Sequence, residues 1–96
     1  NVFVVTGNKT IVTPAANVLP GITRSYVLQL AAIGFKVEER SLLLTELYTA
    51  KEVFITSTTK GVLPVRKVDA ATFATGPGTV THHLQQKFAA YCASVL

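Results

Sequence analysis

Residues 52–61 read EVFITSTTKG, a run of β-branched and aromatic residues that leads directly into hydroxyl side chains, a lysine and a glycine. The apolar part predicts a buried strand over residues 52–57, followed by a loop at 58–61 and another strand at 62–68. Pro64 predicts a bend or an edge position in that second strand. A strand end that presents hydroxyls and backbone N–H groups is typical of ligand-binding loops, but a polar surface loop would explain the same pattern.

A second stretch, LPGITR at residues 19–24, places a Pro-Gly turn at the start of a helix. Gly34 is its expected stop, in the left-handed conformation that glycine adopts without strain. The first-turn amides of Ile22 and Thr23 have no acceptor within the helix, and the helix dipole adds positive potential. With the Thr23 hydroxyl they predict a small anion cradle. The alternative is an ordinary helix start in which Thr23 bonds locally.

The rest of the chain predicts a mixture of strands and helices. The predicted elements are strands at 1–6, 9–13, 35–40, 52–57 and 62–68, a short helix at 44–50, and long helices at 22–34 and 79–95. Gly7 and Asn8 are expected to turn the first two strands into a hairpin, because this dipeptide tolerates positive φ angles. Thr79 is the expected N-cap of the last helix. The order predicts an α/β (α+β) unit, with a mixed sheet and two long helices. The apolar stripe predicted for the first helix consists of Ile22, Tyr26, Val27, Leu30 and Ala31.

Composition excludes several functional classes. The 96 residues allow one domain or part of one, and 49% hydrophobic with 15% charged residues excludes intrinsic disorder. So high an apolar share indicates surface buried against something outside the chain. No apolar run reaches the roughly 18–20 residues that span a bilayer, so no membrane partner is expected. The net charge of +4 is scattered along the chain, which disfavours nucleic-acid binding.

Side chains that could hold a metal are few. Cys92 is the only cysteine, which excludes an internal disulfide and suits a reducing, cytoplasmic location. His82 and His83 are neighbours on a helix and diverge by about 100°, so they cannot easily share one metal. We therefore expect no metal site in this chain.

Several of these segments together resemble one protein family. They are NVF (1–3), LPGITR (19–24), VEER (37–40), AKEVFITSTT (50–59), LPV (63–65), VD (68–69) and GP (76–77), then Thr81, Leu84 and Phe88. Their order and spacing are similar to the C-terminal half of the class IV (fold type IV) aminotransferases. This family uses pyridoxal 5′-phosphate and includes branched-chain aminotransferases, D-amino-acid aminotransferases and aminodeoxychorismate lyases. The resemblance implies that residues 1–96 are a fragment of the large, cofactor-binding C-terminal domain, with the N-terminal domain absent and a homodimer as the usual assembly.

The resemblance also gives the two loops one shared role, which is to hold the cofactor phosphate. It implies backbone N–H donors at Ile22 and Thr23, facing the hydroxyl-rich loop. The implied cofactor-binding residues are Leu19, Gly21, Ile22, Thr23, Ser57 and Thr58, of which Leu19 packs on the pyridine ring. Thr59 and Lys60 occupy positions whose backbone faces the substrate carboxylate.

The family's catalytic groups do not fall within this chain. The lysine that forms the Schiff base lies well upstream of the position that matches Asn1, so no catalytic residue is assigned. The chain alone is expected to be inactive. The full-length parent is expected to transfer an amino group between a branched-chain or D-amino acid and a 2-oxo acid. An aminodeoxychorismate lyase of the same fold and a non-catalytic anion-binding module are the alternatives.

Overall fold

Runs of apolar and β-branched residues build a five-stranded mixed sheet in the computed structural model, which describes residues 1–15, 21–57 and 59–95. The strands are β1 (Val2–Val5), β2 (Thr10–Thr13), β3 (Lys36–Glu39), β4 (Glu52–Ser57) and β5 (Gly61–Val65), in the spatial order β3-β2-β1-β4-β5. β2 and β3 run parallel and the other neighbours antiparallel. A separate two-stranded sheet joins β6 (Lys67–Val68) to β7 (Ala71–Thr72). The predicted mixed sheet is confirmed.

Both predicted long helices are present, and both pack on one face of the sheet. They are α1 (Ile22–Gly34) and α3 (Val80–Val95), with the short helix α2 (Leu44–Thr49) between them in sequence. Because side chains alternate along a strand, Phe3 faces the helices while Val4 faces the opposite side. The rings of Phe3 and Phe54 stack with centroids 4.8 Å apart at the centre of the helix-covered core. Leu47 of α2 packs against the second core, on the other face.

The strand register brings the loop that follows β4 to one end of the sheet. Ser57 pairs with Gly61, so only three residues connect β4 to β5. The amide of Thr56 donates to the Asn1 carbonyl at 2.9 Å, so the start of the chain lies at this same end. Among the described residues, no helix has the length and apolar character needed to cross a membrane.

Three local predictions about turns and element ends are only partly correct, although the first hairpin forms and Pro64 lies in an edge strand as predicted. In the first hairpin the positive φ falls on Lys9 (64°) instead of Gly7 and Asn8. This is the geometry of a three-residue hairpin loop, whose last residue is left-handed. α1 ends at Gly34 as predicted, but Gly34 is not left-handed. The helix ends because Phe35 is already extended (φ −137°) and leads into β3. The strand predicted at 62–68 is divided into β5 and β6, and the latter turns back onto β7 at Asp69 (φ 53°).

The predicted apolar stripe of α1 is only partly correct. The helix buries Thr23, Val27 and Ala31, which recur every fourth residue. Ile22 is 70% exposed, because it lies on the side of α1 that faces away from the sheet. A polar residue therefore occupies the first buried position of the helix.

Candidate functional site

The first turn of α1 presents backbone amides that the helix itself does not use. The first intrahelical hydrogen bond runs from the Ser25 amide to the Gly21 carbonyl at 3.1 Å, so the amides of Ile22 and Thr23 precede it. Gly21 is the N-cap and offers no capping side chain, and the first turn carries no acidic residue. The partial positive charge at this end of α1 is therefore not compensated by any side chain of the helix.

The first turn of α3 is arranged in the opposite way. The buried carboxylate of Glu52 accepts from the Val80 amide at 3.0 Å and from the Thr81 amide at 2.7 Å. The Thr81 hydroxyl donates to the same carboxylate at 2.8 Å. Thr79 is the predicted N-cap, and its hydroxyl oxygen accepts from the His82 amide at 3.1 Å. The protein thus supplies its own anion to α3, whereas α1 has none.

The loop after β4 folds around the hydroxyl of Ser57. The amides of Thr59 and Lys60 point at its oxygen, at 3.3 and 3.4 Å, and the Thr59 hydroxyl lies 3.2 Å away. Thr59 and Lys60 are exposed, and Ser57 is half-buried. Two neighbouring amides directed at one point are an arrangement that can bind an oxyanion, and here the Ser57 oxygen occupies that point.

A hydrogen bond connects this loop to α1. The hydroxyl of Thr23, a residue only 7% exposed, donates to the Ser57 carbonyl at 3.1 Å. The Thr23 hydroxyl was predicted to join the anion cradle or to bond locally, but its proton is instead used in this bridge between the two segments. The backbone amide is the donor that Thr23 leaves open. The bridge places the uncapped helix end beside the hydroxyl-rich loop, as the family resemblance implied.

The structure brings most of the predicted ligand-binding residues to one end of the sheet. Those residues are Gly21, Ile22 and Thr23 on α1, Ser57 at the end of β4, and Thr59 and Lys60 in the loop; together they are called the candidate site below. Leu19 and Thr58 lie outside the described residues. Binding of a cofactor by any of these residues stays a prediction.

Residues that support the candidate site were not predicted from the sequence. The guanidinium of Arg24 donates to the Pro14 carbonyl at 2.9 Å and pairs with Glu39 at 3.4 Å, which fixes α1 against the end of β2. Glu52 fixes the start of α3, and Gln85 of α3 contacts β5. An acidic residue inside an apolar strand was the one visible signal, because a buried carboxylate needs hydrogen-bond donors.

The chemistry of the donors fits a phosphate ester. A phosphate dianion is best held by neutral amides and hydroxyls at a helix N-terminus, and the candidate site offers both. Its only charged side chain is the cationic Lys60. The first turn of α1 itself carries no acidic residue.

Comparison with known proteins places the chain in a family. A family model for amino-transferase class IV matches residues 1–68. Branched-chain-amino-acid aminotransferase 1, mitochondrial, of Arabidopsis thaliana is 44% identical over 92 residues, covering 88% of this chain and 24% of that protein. D-alanine aminotransferase of Bacillus licheniformis is 43% identical over 88 residues, covering 88% of this chain and 31% of that protein.

Solved structures are similar over nearly the whole chain. A putative branched-chain amino acid aminotransferase from Thermotoga maritima superposes with a TM-score of 0.86 at 39% identity, covering 95% of this chain and 34% of that one. An aminotransferase from Brucella abortus, bound to the cofactor PLP, gives 0.85 at 31% identity, covering 95% and 32%. The 4-amino-4-deoxychorismate lyase of Pseudomonas aeruginosa gives 0.81 at 30% identity, covering 94% and 33%.

This chain spans about a quarter to a third of the length of these relatives. The match to the family model nevertheless covers most of the 96 residues, and the relatives agree with it in sequence and in fold. The predicted resemblance is therefore confirmed, and the chain belongs to the class IV aminotransferase family.

Proposed function

We propose that this chain is the phosphate-binding part of a pyridoxal-phosphate-dependent aminotransferase. The observation that supports this most is the contrast between its two long helices. The N-terminal amides of α3 are occupied by Glu52, whereas those of α1 are left without a cap beside the Ser57 loop. A helix end that carries no anion of its own is suited to bind one from outside.

The residues of the candidate site divide the binding of the cofactor between them. The amides of Ile22 and Thr23 would donate to the phosphate oxygens, and the hydroxyls of Ser57 and Thr58 would donate from the opposite side. Leu19 and Gly21 would contact the cofactor beside them. When bound, pyridoxal phosphate supplies an electron-withdrawing ring that stabilises negative charge on the substrate.

The loop would also orient the substrate. Thr59 and Lys60 are exposed residues, and their amides are directed at one point, where a carboxylate could replace the Ser57 hydroxyl as their acceptor. The ammonium of Lys60 adds attraction for that carboxylate. Substrate and cofactor phosphate would then be held by consecutive residues of one loop.

The full-length parent is proposed to transfer an amino group from a branched-chain amino acid to a 2-oxo acid. The nucleophilic lysine would come from outside these 96 residues, so residues 1–96 would be a fragment of the cofactor-binding domain, inactive alone, in a homodimeric enzyme. A D-amino acid is the second candidate donor, because the Bacillus licheniformis relative is a D-alanine aminotransferase. A cytoplasmic location stays a prediction, and the Arabidopsis relative is described as mitochondrial.

Three reactions of the full-length polypeptide discriminate among the activities. We expect amino transfer from L-leucine to 2-oxoglutarate, with a slower or absent reaction from D-alanine. The Pseudomonas aeruginosa neighbour makes lyase activity the third outcome to test, and pyruvate release from aminodeoxychorismate without any amino acceptor would identify it. If a folded full-length protein shows none of the three activities, the alternative of a non-catalytic anion-binding module is favoured.

The phosphate-binding role itself is tested by calorimetric titration of the full-length polypeptide with pyridoxal 5′-phosphate and with pyridoxal. We expect the phosphorylated compound to bind about a hundred-fold more tightly, because two or more charge-assisted hydrogen bonds depend on the phosphate. Equal affinities would show that the uncapped end of α1 does not bind the phosphate.

A further inference from the structure

Helix α3 contacts the loop after β4 at the point where this loop enters β5. Gly61 is buried with φ +71°, a backbone conformation that side chains disfavour. A Cβ built on Gly61 would lie only 2.9 and 3.0 Å from two ring carbons of Phe88. The aromatic ring therefore occupies the space that a side chain would need, and it holds the backbone at the end of the loop.

The next residue of β5 is held by a hydrogen bond from the same helix. The Gln85 side-chain amide donates to the Val62 carbonyl at 3.0 Å. Val62 pairs with Thr56, whose own amide donates to Asn1 on the far side of β4. Thr56 and Val62 therefore form a pair without mutual hydrogen bonds, and the Val62 carbonyl faces the open edge of the sheet, where no strand can satisfy it.

The two contacts lie on one face of α3 and are fixed at their far end. Gln85 and Phe88 are three residues apart, so their side chains are neighbours on the helix surface. The carboxylate of Glu52 holds the first turn of α3 against the start of β4. α3 thus runs from the start of β4 towards the loop that follows the end of this strand, and it is anchored at both places.

We propose that Gln85 and Phe88 are positioning residues, which set the geometry of the loop that binds phosphate and substrate. This inference rests on the proposed function of the candidate site. By holding Gly61 and Val62, the two side chains keep the Thr59 and Lys60 amides and the Ser57 hydroxyl beside the uncapped end of α1. They contact neither ligand themselves.

The test compares Gln85→Leu with Gln86→Leu in the full-length polypeptide. Leucine keeps the approximate volume of glutamine but leaves the Val62 carbonyl without its donor. Gln86 is exposed on the next position of α3, so it controls for the helix and for the substitution. Phe88→Leu is the second variant, because it shortens the ring contact without emptying the site.

Two measurements are made on each variant at a temperature far below its melting point. One is the dissociation constant of pyridoxal 5′-phosphate, and the other is amide hydrogen exchange over residues 59–62 without any ligand. For Gln85→Leu and Phe88→Leu we expect the dissociation constant to rise about five-fold and exchange over these residues to quicken by a similar factor. Gln86→Leu should match the unmodified protein in both.

Unchanged affinity and unchanged exchange in both α3 variants would overturn the proposal, even if their melting temperatures fell. If the unmodified protein binds pyridoxal 5′-phosphate no more tightly than pyridoxal, the proposed phosphate-binding function is refuted, whatever the α3 variants show. Exchange over residues 59–62 then still reports whether α3 holds the loop, so the two failures are distinguishable.

Discussion

Thr23 carries the most consequential contact of the candidate site. Its hydroxyl joins α1 to the Ser57 carbonyl, and its amide is one of the two donors proposed for the phosphate. It also occupies the first buried position of α1, where an apolar residue would fill the volume equally well. A hydroxyl at this place is explained by the bridge, because burying a polar group costs free energy unless it is hydrogen-bonded.

We predict that Thr23→Val lowers the free energy of unfolding by about 1 kcal/mol, since the Ser57 carbonyl loses its donor while the buried volume is preserved. The affinity for pyridoxal 5′-phosphate should fall several-fold, because the loop is no longer tied to α1. Denaturant unfolding and titration of the full-length polypeptide measure the two effects. Ser25→Ala, at an exposed position of the same turn, should change neither; a Thr23→Val protein of unchanged affinity would contradict the bridging role.

Glycine is favoured at position 61 for two reasons, the positive φ of the backbone and the close contact with the Phe88 ring. Gly61→Ala should cost about 1 kcal/mol for the positive φ and more for the displaced Phe88 ring. Gly78 has φ +92° with nothing within 4 Å of a built Cβ, so Gly78→Ala reports the backbone cost alone. Thermal unfolding should rank Gly61→Ala below Gly78→Ala in stability. Equal losses would show that the Phe88 contact is not tight.

The two long helices differ in what their N-terminal amides contact. The first amides of α3 donate to the Glu52 carboxylate of β4, whereas the first turn of α1 has no capping side chain and lies beside the loop that follows Ser57. Periodicity predicted both helices, and Thr79 was correctly predicted as an N-cap because Ser, Thr, Asp and Asn are the usual caps. The role of Glu52 could not be predicted, since its partners lie 28 and 29 residues away in sequence. Local sequence patterns predict which segments are helical. They do not predict which distant side chain will bind the N-terminal amides of a helix.

We predict that Glu52→Gln destabilises the protein by about 2 kcal/mol, because one buried oxygen acceptor is replaced by an amide donor that faces a backbone N–H group. Denaturant unfolding measures the loss. Glu39→Gln is the control, since the Glu39 side chain is 52% exposed and its ion pair with Arg24 should contribute less than about 1 kcal/mol. Equal destabilisation by both changes would mean that the hydrogen bonds from the first turn of α3 to Glu52 add little to stability.

Acid should weaken the connection between β3 and α2. The guanidinium of Arg40, together with the Leu43 amide, lowers the pKa of Glu46 from 4.5 to about 2. Since the carboxylate is favoured in the folded state, its contribution is complete above pH 4.5 and is lost as the pH falls towards 2. The difference in melting temperature between the unmodified protein and Glu46→Gln should therefore shrink over this range. A difference that stays constant with pH would contradict the pairing.

At the scale of the whole molecule, the sequence predicted the mixed sheet and both long helices, and the family resemblance implied that the two loops meet. It failed where a turn or a bend depends on packing: Lys9 instead of Gly7 takes the left-handed conformation, and β6 leaves the main sheet after Val65. The high apolar content also has a structural counterpart. Ile33 is 83% exposed and Leu43 is 63% exposed, so part of this apolar content lies on the surface of the chain.

A crystal structure of the full-length polypeptide with pyridoxal 5′-phosphate tests the central claim most directly. We predict phosphate oxygens at about 3 Å from the amide nitrogens of Ile22 and Thr23, with the Ser57 hydroxyl on the opposite side. The first turn of α3 should keep Glu52 as its acceptor. A phosphate bound elsewhere, with the first turn of α1 facing solvent, would contradict the account.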